Sequence, residues 1–335
     1  MKIVVDAFGG DDAPECNVWG AVTAVNLNDD LKIVLVGDET KIGEELAKVG
    51  YKGDKIEVVH APGVISNDDV PTSAIRTKKD SSMVVAFDLL KNDPEVVGMV
   101  SAGSTGAVLT GATLLIGRLP GVLRPALASI FPTQSGKQVL VIDSGATVDA
   151  KPEYLVQFAH MGSLFMAGYT ENAKPKVGLL SVGTEDHKGS EFSKEVFGLL
   201  KEEKDINFVG NIEGRDILVG DTDVVVCDGF SGNVALKSIE GGALTVLKTV
   251  KRAIKSGGLG AKIGYLFLKK SLKKALDEVD YNNYGYAPFL GVKKLVIKAH
   301  GSSNPKNIYN SIMQVKKMHE FGLTEKMSKV FEGKE

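Results

Sequence analysis

Short apolar, β-branched runs alternate along this chain with stretches whose apolar residues recur every three or four positions. Residues 3–5, 33–36, 56–59, 96–100, 139–142, 177–182, 224–226 and 295–299 read as buried strands. Residues 41–49 and 83–90 read as helices, and Asp11-Asp12-Ala13-Pro14 as the entry to another. The alternation predicts an α/β fold, a mainly parallel sheet with flanking helices. Most of the strand-like runs end in a polar, glycine-containing segment. Ligands of open parallel sheets bind outside the carboxyl ends of the strands, so the pattern predicts a site along that edge.

Three of these segments carry candidate chemistry. Cys227-Asp228-Gly229-Phe230-Ser231-Gly232-Asn233 follows the run 224–226 and reads as a Gly-rich turn, with Asn233 as the N-cap of a helix starting near Val234. A helix start offers unpaired N–H groups and partial positive charge to an anion, and Lys237 lies one turn further on. An ordinary βα loop accounts for the same residues equally well. Ser101-Ala102-Gly103-Ser104-Thr105-Gly106 combines hydroxyls with residues small enough for a ligand to approach the backbone. Glu185-Asp186-His187-Lys188 gathers titratable groups able to shift one another's pKa values, or is simply a charged surface loop. Neither a P-loop nor a G-x-G-x-x-G follows the first strand, which argues against nucleoside triphosphates and dinucleotide cofactors. The histidines show no metal-ligand spacing, so neither metal nor cofactor is expected.

Charge and composition narrow the class. The 335 residues are 43% hydrophobic and 24% charged with a net charge of −2, which suits a globular protein and argues against nucleic acid as partner. Cys16 and Cys227 provide no disulfide framework, and no signal segment or membrane-length apolar run is visible, so a cytoplasmic location is the expectation. Between Gly241 and Leu276 lie Lys248, Lys251, Arg252, Lys255, Lys262, Lys269, Lys270, Lys273 and Lys274 without one acidic residue. Leu259, Ile263, Leu266, Phe267 and Leu268 interleave with them, and glycines 257, 258 and 260 break the helix. The stretch 241–283 reads as a helical hairpin inserted in a single α/β domain spanning 1–335, its tip suited to anionic lipid or an acidic partner. Packing on the protein's own core, or on a second subunit, is the alternative. Arg76, Lys78 and Lys79 form a second basic group, either a solvated face or an anion clamp.

Taken in order, Asp6-Ala7-Phe8-Gly9-Gly10-Asp11, Lys79-Asp80-Ser81-Ser82-Met83, residues 101–107, 183–189 and 228–241, and Ala299-His300-Gly301-Ser302-Ser303 closely resemble the PlsX family of phosphate acyltransferases, nearly end to end. The resemblance implies a Rossmann-like fold similar to phosphotransacetylases and isopropylmalate dehydrogenases, and a homodimer. It also implies attachment to the inner face of the membrane through the hairpin. The implied reaction converts long-chain acyl-ACP (acyl carrier protein) and orthophosphate to acyl phosphate and free ACP, feeding a membrane glycerol-3-phosphate acyltransferase in phospholipid synthesis. An acyl-CoA phosphotransacetylase, a non-enzymatic acyl-ACP scaffold and a dehydrogenase are the competing readings.

Carried onto this chain, the motifs place catalysis at Lys188, Asp228, Asn233 and Lys237, with Lys188 as main cation and Asp228 and Asn233 orienting. Substrate and phosphate binding falls on Asp6, Gly9, Gly10, Ser101, Gly103, Ser104, Thr105, Gly106, Asp143, Glu185 and His300. ACP or membrane contact falls on Arg76, Lys79, Leu259, Leu266, Phe267, Lys269 and Lys270. Thr147 stands where the family usually has Asn, and Tyr286 where it has Gly, so Tyr286 is expected to crowd a turn.

Overall fold

The computed structural model describes residues 1–170, 172–278 and 285–333, with the backbone alone for 259, 262 and 272–278. The side chain of Leu259 and hairpin positions 279–283 therefore lie outside the described residues. In chain order the first half holds β1 (Lys2–Asp6), α1 (Glu15–Leu27), β2 (Lys32–Gly37), α2 (Glu39–Lys48), β3 (Ile56–His60), α3 (Pro71–Thr77), α4 (Ser82–Asn92), β4 (Val96–Ser101) and α5 (Thr105–Gly111), which runs on as a wider turn over Ala112–Ile116. There follow β5 (Ala126–Pro132), β6 (Gln138–Ile142), α6 (Pro152–Thr170), β7 (Lys176–Ser181), α7 (Glu191–Glu202), β8 (Asn207–Glu213), β9 (Val224–Val226), α8 (Gly229–Ser256) and α9 (Gly258–Glu278). The chain returns through β10 (Tyr286–Leu290) and β11 (Leu295–Ala299) to α10 (Pro305–Glu320) and α11 (Leu323–Phe331).

The strands form one sheet in the order β3-β2-β1-β4-β11-β10-β5-β6-β9-β7-β8. Pairing is parallel except along β11–β10–β5–β6, where each junction is antiparallel. Three reversals in succession leave β6, β9, β7 and β8 running opposite to β3, β2, β1, β4 and β11. The carboxyl ends of the strands therefore do not share one edge, as a uniformly parallel sheet would require. The strand residues alternate between two apolar layers, Ile3 and Val5 in one and Val4 in the other, because successive side chains in a strand point to opposite faces.

Local chemistry accounts for several helix starts. Asp38 caps α2 by accepting from the amides of Thr40 and Lys41, and Asn304 and Asn307 cap α10 reciprocally. The stretch read as a Gly-rich turn before a cap at Asn233 belongs instead to α8, whose N-cap is Asp228. The Asp228 carboxylate accepts from the Ser231 amide at 2.8 Å and the Ser231 hydroxyl at 2.7 Å, so the charge favoured at this helix terminus is already supplied by the chain. Gly232 comes so close to β6 that a Cβ there would lie 1.9 Å from the Asp143 carbonyl oxygen. Tyr286 sits at the start of β10 opposite Ala299, with its side chain buried.

α8 begins in contact with the sheet, with Ala235, Leu236 and Ile239 packed over Val139, Val141 and Val225. Beyond that it leaves the body of the protein, and Gly257 separates it from α9. Leu266 and Phe267 on α9 are 71% and 83% exposed, and Lys269 and Lys270 are exposed beside them.

Candidate active site

A cavity of about 400 Å3 opens beside β5, β10 and β11, between α5 and α8. Its size falls within the roughly 300–1,000 Å3 of small-molecule sites. One wall is the start of α5, with Thr105, Gly106 and Leu109, and another is β5, with Leu127, Ser129, Ile130 and Phe131. The loop after β6 adds Ser144 and Gly145, and α8 adds Asn233, Leu236, Lys237 and Glu240. Tyr286 of β10 and the end of β11, with Lys298, His300 and Gly301, close the circuit. Polar groups concentrate toward Lys237, Lys298 and His300, while Leu109, Leu127, Phe131 and Leu236 supply apolar surface.

Several of the polar groups are held by their neighbours. The hydroxyls of Ser129 and Ser144 lie 2.7 Å apart, tying β5 to the β6 loop. Lys237 pairs with Glu240 one turn along α8 at 2.8 Å. Imidazole Nδ1 of His300 lies 2.9 Å from the Ser302 hydroxyl, and desolvation by the cavity wall lowers its pKa, which favours the neutral ring at pH 7. Lys298 is buried, its ammonium donating to the carbonyl oxygens of Ala102 at 3.4 Å and of Ala299. Burial pulls its pKa down from 10.5 to about 8.

Of the residues anticipated as catalytic or binding, Thr105, Gly106, Asn233, Lys237 and His300 meet in this cavity. Asp6, Gly9, Gly10, Ser101, Gly103, Ser104, Asp143, Asp228, Glu185 and Lys188 do not line it. Asp6 accepts from the hydroxyls of Ser82 at 2.6 Å and Ser101 at 2.7 Å, and burial raises its pKa above the ordinary carboxyl value. Ser101 in turn accepts from the Gly103 amide. Gly9 permits the loops after β1 and β4 to touch, since a Cβ there would lie 2.5 Å from the Gly103 nitrogen. Asp143 accepts from the amides of Leu127, Gly145, Ala146 and Thr147. Both carboxylates thus organise the loops that follow β1, β4 and β6. Thr147 contributes its backbone, the carbonyl accepting from Gly229.

Glu185 and Lys188 follow β7, within the block of strands that runs opposite to β4 and β11, and both are exposed. The amides of Gly229, Ser231 and Gly232 already donate to Thr147, Asp228 and Asp228, so these three are not free for a ligand. On α3, Arg76 is exposed, while the Lys79 ammonium donates to the Ile75 carbonyl and Lys78 pairs with Asp69 at 2.7 Å. Ser129, Ser144, Phe131 and Lys298 were not singled out from the sequence. Lys298 did leave a trace there, as one cation inside the apolar run 295–299.

The fold is that of the phosphotransacetylases. The chain superposes on the EutD phosphotransacetylase from Staphylococcus aureus with a TM-score of 0.59 at 17% identity, covering 95% of this chain and 94% of that one. A branched-chain phosphotransacylase from Enterococcus faecalis V583 also gives 0.59, at 13% identity with 95% and 98% covered. Residues 1–326 match the family described as Fatty acid synthesis protein. A phosphate acyltransferase from Clostridium botulinum (strain Alaska E43 / Type E3) is 47% identical over 334 residues, 100% of both chains. One from Halothermothrix orenii is 46% identical over 317 residues, 94% of each. The chain belongs to the phosphate acyltransferase family, PlsX, and is an acyltransferase.

Proposed function

We propose that this enzyme transfers the acyl group of a long-chain acyl-ACP to orthophosphate. The observation that carries the reading is the cavity itself, which joins a cationic end at Lys237 and Lys298 to an apolar wall at Leu109, Leu127 and Phe131. A phosphate oxygen attacks the thioester carbonyl carbon, the carbon–sulfur bond breaks, and the thiolate leaves to take up a proton. Phosphate is the nucleophile, so the protein's part is to position it, to stabilise charge on the carbonyl oxygen and to ease departure of sulfur. Lys237 supplies positive charge and Asn233 an orienting amide from α8, with Thr105 and Gly106 opposite. Lys188, with Glu185 beside it, is the further candidate cation, on the loop after β7, the strand that pairs in parallel with β9.

ACP is acidic as a class, which fits docking on Arg76, Lys79 and the hairpin lysines. The exposed Leu266 and Phe267 between cations fit attachment to an anionic membrane surface, from which acyl phosphate passes to a membrane glycerol-3-phosphate acyltransferase. Among the described residues no helix is long and apolar enough to cross a membrane. Likeness to phosphotransacetylases keeps acyl-CoA as the second candidate donor. Acyl phosphate formation from palmitoyl-ACP and orthophosphate, with palmitoyl-CoA run in parallel, tests the reading. Phosphate-dependent turnover with the ACP donor is the expected result, and turnover with CoA alone would replace it by the phosphotransacetylase reading.

A further inference from the structure

Lys298 stands apart from the other cations of the molecule. It lies on a strand near the middle of the sheet, is 8% exposed, and lines the cavity. Burying an ammonium is costly unless a partner compensates it. Among the described residues no carboxylate comes within ion-pair distance of it. Two of its three donor positions meet carbonyl oxygens, of Ala102 and Ala299, and carbonyls supply partial rather than full negative charge. The nearest carboxyl influences come from Asp11 and Asp6, and Asp6 is occupied by Ser82 and Ser101. Lys237, also on the cavity wall, adds a second positive charge from the side while forming an ion pair with Glu240.

We propose that the Lys298 ammonium is the charged seat of orthophosphate in this cavity, its remaining N–H bond directed at a phosphate oxygen. The proposal rests on the acyltransferase reading above for the identity of the anion. A tetrahedral dianion supplies what the site lacks, a full negative charge with oxygens able to accept from Lys298 and from the hydroxyl of Thr105 on the same cavity wall. Seating phosphate here places the nucleophile beside the apolar wall along β5, where an acyl thioester would lie. The depressed pKa agrees with this arrangement. The group remains mostly protonated at pH 7, yet held without a counter-ion until the dianion arrives.

Steady-state kinetics of Lys298→Met and Lys298→Arg, with binding of inorganic phosphate followed by 31P NMR line broadening, test the proposal. For Lys298→Met the phosphate KM should rise roughly ten- to hundredfold, the loss of one charge-assisted hydrogen bond, with the acyl-ACP KM within about threefold of wild type. Phosphate line broadening should weaken in parallel, and Lys298→Arg should recover part of both. Folded variants that keep phosphate KM and binding within about twofold of wild type would overturn the proposal. Wild-type protein that makes no acyl phosphate from acyl-ACP, but binds phosphate in a Lys298-dependent way, would sink the ACP reading and leave this seat standing. Should neither variant fold, the wild type decides through pyridoxal 5′-phosphate trapped with borohydride. Labelling of Lys298 that inorganic phosphate prevents supports the seat, and labelling indifferent to phosphate or confined to other lysines refutes it.

Discussion

Lys298 costs stability wherever it is charged. Its pKa falls from 10.5 to about 8 on folding, so the unfolded chain binds the proton more tightly than the native one. The shift amounts to a penalty of about 3 kcal/mol below pH 8, which fades as the pH rises toward 10.5. Lys298→Met should therefore raise the melting temperature at pH 7, and that gain should shrink as melting is repeated between pH 8 and 10. A variant less stable than wild type at pH 7 would show that the Ala102 and Ala299 carbonyls compensate the charge in full. At this scale the sequence was informative where turn chemistry marks a residue. Thr105, Gly106, Asn233, Lys237 and His300, which line the cavity, were named that way. A single lysine within an apolar run carries no such mark, because its meaning depends on which strands flank it.

α8 is the element on which the site depends, and its seat is Gly232. Alanine is the better helix former by about 1 kcal/mol, which alone would stabilise the helix. Here the added methyl would meet the Asp143 carbonyl oxygen at 1.9 Å and the Cys227 sulfur at 2.8 Å. Backbone cannot rotate away, so the clash dominates, and Gly232→Ala should lose at least about 3 kcal/mol in urea denaturation. The strand, helix and glycines here were legible as types. Their division was not, because Asp228 competes with Asn233 for the cap and wins by offering a carboxylate to the Ser231 amide and hydroxyl. The basic stretch 241–276 stood out as well, since its nine cations lie among leucines without a carboxylate.

Seen whole, the molecule is two parallel blocks of opposite direction, joined through β10 and β5. Neither strand was recognised from the sequence, and with them went the reversal between the two blocks. Surface properties follow from the whole charge distribution rather than from any one site. Net charge is −2, so affinity for an anionic surface has to come from the basic hairpin against the average of the rest. Replacing both Leu266 and Phe267 by Asp should release the enzyme from anionic vesicles in a flotation assay. Its melting temperature should not change, because those side chains are exposed. Raising salt to 1 M should weaken wild-type binding, as the screening length contracts from about 10 Å to about 3 Å. Retention of the double variant on vesicles would assign the surface contact elsewhere.

The same helix that carries Lys237 and Glu240 into the cavity runs without interruption to Gly257, roughly 25 Å further on at 1.5 Å per residue. A rod of that length ties the mouth of the cavity to whatever its far end rests upon. With the tip lying on lipid, the distance and tilt between reaction chamber and bilayer become fixed quantities. The acyl phosphate, a long hydrocarbon with a labile mixed-anhydride head, would then be released a few nanometres from the phase that dissolves it, with little passage through bulk water. On that view the protruding helix acts as a spacer, setting where the product is let go.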